Sequence, residues 1–206
     1  MINHFPNDRV NNFSDAIFAI AITLLVLEVK VPPTADIDSL GTLGSLQRLI
    51  PSFIGLLVSF FVTALYWRAH LTLAQFIKNY DNRLLWLNIW LLLFVVMLPF
   101  STAFYSKNFN YNGPFIFYCF NLVMIGLFNY LMVRNIIQKE GHSEALTPLV
   151  ESWLKFRAMM APLIWLLSIV IAFIEPTLAR FTFILIFIFL MIGERGFKKK
   201  LKQQQS

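Results

Sequence analysis

The chain has 206 residues, of which 58% are hydrophobic and only 14% are charged. Soluble domains keep roughly a quarter of their residues charged, so this composition excludes an ordinary soluble domain and indicates that lipid is the main solvent. The net charge of +6 does not imply nucleic acid, because the basic residues at 198–202 directly follow an apolar segment. They are better explained as a cytoplasmic tail near anionic lipid. We therefore expect the lipid bilayer as a partner, and no nucleic acid.

Six apolar segments approach the length of about 20 helical residues that a bilayer requires. Their hydrophobic runs are continuous and do not alternate with period two, which favours helices over a β-barrel. The sequence therefore predicts an all-α, polytopic membrane protein with a single transmembrane domain over 1–206. The predicted spans are approximately 13–31, 47–67, 84–105, 113–134, 156–174 and 177–194.

Prolines divide these segments. Pro32-Pro33 is expected to close the first helix, and Pro176 to open the sixth, where a missing N–H costs least. Pro51, Pro99 and Pro162 lie inside predicted spans and predict kinks or short breaks there.

The distribution of Lys and Arg predicts the orientation. If the N-terminus is cytoplasmic, thirteen of the 17 basic residues fall on the cytoplasmic side and four, Lys30, Arg48, Lys107 and Arg180, on the other. By the positive-inside rule, both termini are cytoplasmic, which agrees with an even number of spans.

The sequence contains no recognisable catalytic site or metal-binding site. His4, His70 and His142 are far apart and have no cysteine or carboxylate at ligand spacing. Paired intramembrane carboxylates, a nucleophile elbow and a phosphate-binding glycine loop are also missing from the sequence. We therefore expect no enzyme activity, no metal and no cofactor.

Polar residues are concentrated at the head of the first helix. Arg9, Ser14 and Asp15 precede a long apolar run, and an ionisable residue at a membrane boundary usually has a partner. One interpretation is an ordinary helix cap, with the Asp15 carboxylate favoured by the helix dipole. The other is a polar cluster that fixes the rotation of this helix, with Arg9 and His70 as partners of Asp15.

An apolar stripe follows along the same helix. At about 100° per residue, Ile20, Thr23, Leu24 and Leu27 share one side, and Asp15 lies roughly 140° around the axis from Ile20. Such a stripe taken alone is more typical of helix packing or lipid contact than of a pore.

The segment Arg9-x-x-x-Phe13-Ser14-Asp15 resembles the Arg-x-x-x-Phe-Ser-Asp signature of the transmembrane protein 175 potassium channels, in their six-helix prokaryotic branch. The resemblance continues through Glu28, and Tyr66-Trp67-Arg68-Ala69-His70 at the end of the second span is similar to another feature of that family. After about residue 80, the resemblance is carried by hydropathy.

The resemblance implies a potassium-permeable channel in a prokaryotic plasma membrane, with K⁺ as permeant ion. It also implies a homotetramer whose four first helices line the pore. Ile20 would form the narrowest ring, Leu24 and Leu27 would form further apolar rings, and Thr23 would supply the one hydroxyl near the stripe. The residues implied to support the pore helix are Arg9, Phe13, Ser14, Asp15, Trp67 and His70.

Two other functions stay open at this level. Asp15, Arg9 and His70 could carry protons in an ion-coupled or proton-coupled secondary transporter, although transporters usually place such groups at the membrane midplane and in repeats. A non-conducting membrane scaffold would share the same hydropathy. Coupled flux would identify the transporter, and the lack of any flux would identify the scaffold.

Overall fold

The computed structural model describes residues 5–140 and 146–205, and these residues are almost entirely helical. An isolated bridge between Phe5 and Tyr80 is the extent of β-pairing in this part of the chain. The helices are α1 Asn7–Leu24, α2 Thr34–Arg48, α3 Ile50–Ala74, α4 Asn82–Val96, α5 Leu98–Lys107, α6 Asn112–Glu140, α7 Pro148–Ala172, α8 Pro176–Ala179 and α9 Phe183–Gln205, with a 3₁₀ segment at Leu25–Glu28. The predicted all-helical fold class is confirmed.

Five helical stretches in the described residues are long and apolar enough to cross a membrane. They are Asn7–Glu28, Thr34–Ala74, Asn82–Lys107, Asn112–Lys139 and Pro148–Ala172. Each contains most or all of one of the first five predicted spans, and three of them extend well beyond it. Helical hydrogen bonds between backbone groups do not require apolar side chains. A helix can therefore continue beyond the apolar segment from which it was predicted.

The sixth predicted span, 177–194, differs from a simple spanning helix. The short helix α8 ends at Ala179, residues 180–182 form turns, and α9 begins at Phe183. The apolar part of α9 reaches only to Gly193, after which the helix becomes strongly charged. This distribution explains why the stretch falls outside the length and composition that mark the other five.

The break predicted at Pro99 is present between α4 and α5. A proline lacks the N–H for the helical ladder and its ring crowds the carbonyl four residues earlier, so the helix is interrupted at Met97. The Asn121 side chain of α6 donates to the Phe94 carbonyl (3.1 Å) and to Ser101 Oγ (3.2 Å). A neighbouring helix thus satisfies backbone at the break, as apolar surroundings require.

The other two internal prolines have different surroundings. Pro51 lies in the first turn of α3, where it is tolerated, and α2 ends just before it. Pro162 lies inside the continuous helix α7 and packs against α6 at Gly126. A Cβ atom built on Gly126 would lie 2.8 Å from Pro162 Cδ and 3.0 Å from the Tyr66 hydroxyl oxygen, so only glycine permits this close contact.

The helix α2 was not predicted, because its residues are mostly polar and largely exposed. Helical geometry is interrupted at Gly41, where φ is +70°, a conformation that favours glycine. An ion pair between Arg48 and Asp36 (3.3 Å) joins the two ends of α2.

The helix α6 lies at the centre of the bundle, in contact with α4, α5 and α7, while α9 packs on α7 and α1 packs mainly on α3 and α4. Buried hydroxyl groups link α3, α5 and α6: Ser59 Oγ lies 2.8 Å from Thr102 Oγ1 and 3.1 Å from the Tyr118 hydroxyl. Every polar atom in this group has a partner, which is the condition for burial in an apolar interior.

The connection between α3 and α4 gathers three parts of the chain. The Phe5 N–H donates to the Tyr80 carbonyl (2.9 Å), and the Asn7 side chain donates to the Ile77 carbonyl (2.6 Å). Asp81 caps α4 by accepting from the Leu84 N–H (2.9 Å), and it also forms an ion pair with Lys139 near the end of α6. Burial alone would raise the pKa of the Asp81 carboxyl, but Lys139 and the Leu84 N–H hold it below its usual value.

Two replacements of Asp81 separate the contribution of the helix cap from that of the ion pair with Lys139. Asp81→Ala is expected to lower the free energy of unfolding by about 1 kcal/mol at pH 7 through loss of the cap, while Asp81→Asn keeps the cap and loses only the ion pair. Because the pKa is depressed in the folded protein, this stabilisation exists above the unfolded pKa of about 4 and is lost as pH falls through the folded value.

Thermal unfolding in detergent at pH 7 and near pH 3 measures the difference between each variant and the wild type. The exposed residue Asp38, replaced by Ala, is the control. A deficit in Asp81→Ala that is equally large at both pH values would contradict the assigned role of the carboxylate.

Candidate pore helix and its polar support

The helix α1 has two distinct sides. Its buried residues recur every three or four positions and face the rest of the bundle: Val10, Ser14, Phe18 and Ala21, continued by Leu25 in the 3₁₀ segment. The opposite side carries large apolar side chains that the described residues leave substantially exposed.

The open side coincides with the predicted stripe. Ile20 is 55% exposed, Leu24 40% and Leu27 70%. Thr23 is also exposed, and its hydroxyl donates to the Ile20 carbonyl of the same helix (2.8 Å). The proton of the Thr23 hydroxyl is engaged in this bond, and its oxygen can still accept a hydrogen bond.

The 3₁₀ segment Leu25–Glu28 extends this stripe beyond the α-helical part. In 3₁₀ geometry, side chains three residues apart eclipse one another, so Leu24 and Leu27 are aligned along the axis at the junction. Glu28 ends the segment with an ion pair to Lys107 of α5 (Nζ to Oε2, 3.0 Å). Both ends of α1 are thereby attached to the bundle.

Asp15 has a partner on α3. The indole N–H of Trp67 donates to Asp15 Oδ1 (2.9 Å). Because α1 begins at Asn7, Ser14 and Asp15 lie two turns inside the helix and do not cap it. The cap interpretation is therefore excluded by the position of the helix start.

Ser14 and His70 are joined through Asn88 of α4. Asn88 Nδ2 donates to Ser14 Oγ (2.9 Å), and Asn88 Oδ1 lies 2.9 Å from His70 Nε2. Since the amide oxygen can only accept, His70 is protonated at Nε2 in this arrangement. The Ser14 hydroxyl donates to the Val10 carbonyl (2.8 Å), and all three side chains are buried.

Two members of the predicted support group lie outside these hydrogen bonds. Arg9 is exposed beside α4, and in the part of the chain that the structure describes it forms no ion pair with a carboxylate. Phe13 is exposed on the open side of α1. The structure thus brings together Ser14, Asp15, Trp67 and His70, in two separate contacts.

Sequence reasoning missed three asparagines. Asn88 is the bridge described above, Asn7 binds the α3–α4 connection, and Asn11 accepts from the Tyr80 hydroxyl (2.9 Å). Asn7, Asn11 and Ser14 are spaced by four and three residues, which places them on one side of α1. We call these residues and Asp15 the polar seam of α1; their spacing is the signal that could have revealed it.

The fold and the seam define a multi-pass α-helical membrane protein in which one helix is fixed by side-chain hydrogen bonds and presents an apolar face. The sequence pattern of the family described as "Endosomal/lysosomal potassium channel TMEM175" matches residues 9–99, which include α1, α3 and α4. These residues contain the whole contact from Ser14 through Asn88 to His70.

Individual proteins extend this similarity. "Potassium channel HX13_20290" of Chryseobacterium sp. is 29% identical over 195 residues, covering 95% of this chain and 97% of that protein. "Endosomal/lysosomal proton channel TMEM175" of Danio rerio is 27% identical over 126 residues, covering 61% of this chain and 24% of that longer protein.

A solved structure shares the fold. The crystal structure of a lysosomal potassium-selective channel TMEM175 homolog from Chamaesiphon Minutus matches with a TM-score of 0.80 and 25% identity, over 91% of this chain and 97% of that one. The chain is thus similar to proteins of the TMEM175 family, bacterial ones included, in sequence and in fold. Its relatives are named as ion channels and not as enzymes.

Replacement of Asn88 tests whether its bridge between Ser14 and His70 stabilises the fold. Asn88→Ala leaves Ser14 Oγ and His70 Nε2 buried without this partner, and each such loss costs about 1–3 kcal/mol. We expect a markedly lower melting temperature in detergent. The matched control is Asn82→Ala, at an exposed position in the first turn of the same helix. Equal melting temperatures of the two variants would show that the bridge contributes nothing to stability.

Proposed function

We propose that this protein is a potassium-permeable channel, assembled as a homotetramer in a prokaryotic plasma membrane, with α1 lining a central pore. The observation that carries the proposal is the uncovered apolar stripe of α1, which lies opposite the side that the seam fixes to α3 and α4. We take K⁺ as the permeant ion because the bacterial relatives are named as potassium channels.

Several copies are needed because one chain has too few spans to enclose a pore around a single α1. If copies meet around an axis facing Ile20, each contributes one Ile20, one Leu24 and one Leu27 to rings along that axis. The number four follows from the family resemblance. The interface would place each seam behind its pore helix, away from the permeant ion.

A collar of branched apolar side chains can control conduction by wetting and dewetting. A narrow ring of Ile20 side chains loses its water and becomes a barrier, and slight widening restores conduction. Methyl groups offer no oxygen to coordinate an ion. Preference for K⁺ over Na⁺ would then rest on the lower cost of dehydrating the larger ion, with Thr23 as the available hydroxyl. We expect this selectivity to be modest.

The seam would act by keeping the collar in register. The Trp67–Asp15 contact and the Asn88 bridge hold α1 at two adjacent positions, Asp15 and Ser14, on neighbouring helices. Loss of either contact would let α1 rotate or tilt. The expected result is a change in assembly or opening, with little direct effect on ion preference.

Protons are the second candidate permeant ion, because the vertebrate relative is named as a proton channel. Flux measurements must therefore record protons as well as K⁺. Flux of one ion that depends obligatorily on a counter-ion would instead support a coupled transporter. Folded, oligomeric protein without any flux would support a scaffold.

The collar is tested by Ile20→Asn in liposomes that contain only the purified protein. A wettable ring should raise K⁺ conductance and weaken the preference for K⁺ over Na⁺. Val26→Asn is the matched control: its side chain is also 55% exposed, but it lies at least about 80° around the axis from Ile20. Fluxes driven by a potassium gradient and by a sodium gradient are compared for each variant. A pH-sensitive dye records proton flux in the same liposomes.

An unchanged single-channel current in correctly assembled Ile20→Asn protein would exclude Ile20 as the constriction. Equal increases in Ile20→Asn and Val26→Asn would mean that the stripe is not the pore surface.

The supporting role is tested by Asp15→Ala and Trp67→Phe. Both variants remove the same hydrogen bond, so both should reduce the assembled fraction or the open probability to a similar degree. The ratio of K⁺ to Na⁺ permeability should change little. Size-exclusion chromatography and single-channel recording provide the two readouts, and a large shift in ion preference with normal assembly would refute the role.

A further inference from the structure

A basic cleft opens between α3, α7 and α9, at the helix ends that the positive-inside rule assigns to the cytoplasm. Its volume is about 340 Å³. The charged side chains that line it are Arg68, Arg157, Arg195, Lys198 and Glu194. Four cations thus surround one carboxylate, and the cleft carries an excess of positive charge.

The single carboxylate of the cleft is already shared. Glu194 Oε1 lies 3.2 Å from Arg68 Nη2 and 3.0 Å from Lys198 Nζ. Within the ranges 5–140 and 146–205, no carboxylate forms an ion pair with Arg157 or Arg195. Neither guanidinium group therefore has a carboxylate of its own in direct contact.

Arg157 lies at the inner wall of the cleft. It projects from α7, is only partly exposed, and also lines two much smaller cavities that reach Tyr66 and Asn129. A cation at such a position loses solvation, and here it gains no direct ion pair in return. An anion bound in the cleft would offset this cost.

The walls below the charged groups are apolar. Leu65 of α3 and Phe187, Leu190 and Met191 of α9 line the same cleft. On α9, the positions 187, 190, 191, 194 and 198 follow helical spacing, so one side of this helix changes from apolar to charged along its length. The cleft therefore matches a molecule with an anionic head and an apolar tail.

We propose that this cleft binds an anionic phospholipid of the cytoplasmic leaflet. The phosphate headgroup would contact Arg157 and Arg195, and an acyl chain would lie on the apolar wall. Planar guanidinium groups suit phosphate oxygens, and basic pockets between membrane helices are suited to such headgroups. A soluble phosphate would use the cations and leave the apolar wall without a partner, so the lipid fits the whole cleft.

The proposed lipid site is more specific than a general electrostatic attraction of the basic tail to the membrane surface. It involves Arg157 and the apolar wall, which lie outside the cluster at 198–202. It is also independent of ion conduction, because lipid binding can be measured on purified protein without any flux.

Native mass spectrometry of the full chain tests the proposal, with phosphatidylglycerol and phosphatidylcholine of identical acyl chains added separately. Phosphatidylglycerol should bind more tightly. Arg157→Gln and Arg195→Gln should each weaken its binding about fivefold, the effect of one cation near an anionic lipid, and should leave phosphatidylcholine binding unchanged. The matched control is Arg134→Gln, exposed on α6 outside the cleft, which should match the wild type.

Equal binding of the two lipids, or an equal loss in Arg134→Gln, would overturn the proposal. Glycerol phosphate that displaces phosphatidylglycerol at comparable concentration would show a soluble-anion site and would also overturn it. Circular dichroism checks the fold of each variant. If Arg157→Gln does not fold, the exposed position Arg195 decides the outcome.

Discussion

The arrangement of α1 depends on hydrogen bonds between polar side chains inside an otherwise apolar bundle. Ser14, Asn88 and His70 form a continuous buried contact across three helices, with the Trp67–Asp15 bond beside it. Apolar packing alone would leave α1 free to rotate, because many of its faces are similarly hydrophobic. A polar side chain has only one orientation in which its partner is reached, so these contacts select one rotation.

The same principle operates elsewhere in the bundle. Beside the Pro99 break, Asn121 donates to the Phe94 carbonyl, and the hydroxyl groups of Ser59, Thr102 and Tyr118 satisfy one another. In lipid, unpaired polar groups have no water to replace a lost partner. The Pro99 break and the buried hydroxyl groups are therefore each coupled to specific residues on neighbouring helices.

The all-helical class and the first five apolar segments could be predicted, since hydropathy records the lipid contact directly. The helix α2 could not be predicted, because it has few apolar residues and therefore no hydrophobic pattern that indicates a helix. The helix ends could not be placed either, since α1, α6 and α7 continue beyond the apolar segments that predicted them. The stripe from Ile20 to Leu27 was predicted from helical spacing, and its exposure in the structure agrees with that geometry.

The site was only partly predictable for a related reason. Asp15 and Trp67 could be associated because the family signature marks both, although the sequence does not reveal that they bond to each other. Asn88 lies in a segment without a marked motif, and its role follows from the packing of α4 against α1 and α3. Arg9 was expected as a partner of Asp15 by charge, but the indole N–H of Trp67 occupies that position.

The bridge between Phe5 and Tyr80 has a practical consequence for handling the protein. It lies only two residues before α1 begins, and the next contact, from Asn7 to Ile77, is at the first helical residue. Truncation through residue 7 would remove both attachments. Affinity tags and fluorescent reporters are better joined after α9, where the chain leaves the bundle as a charged helix.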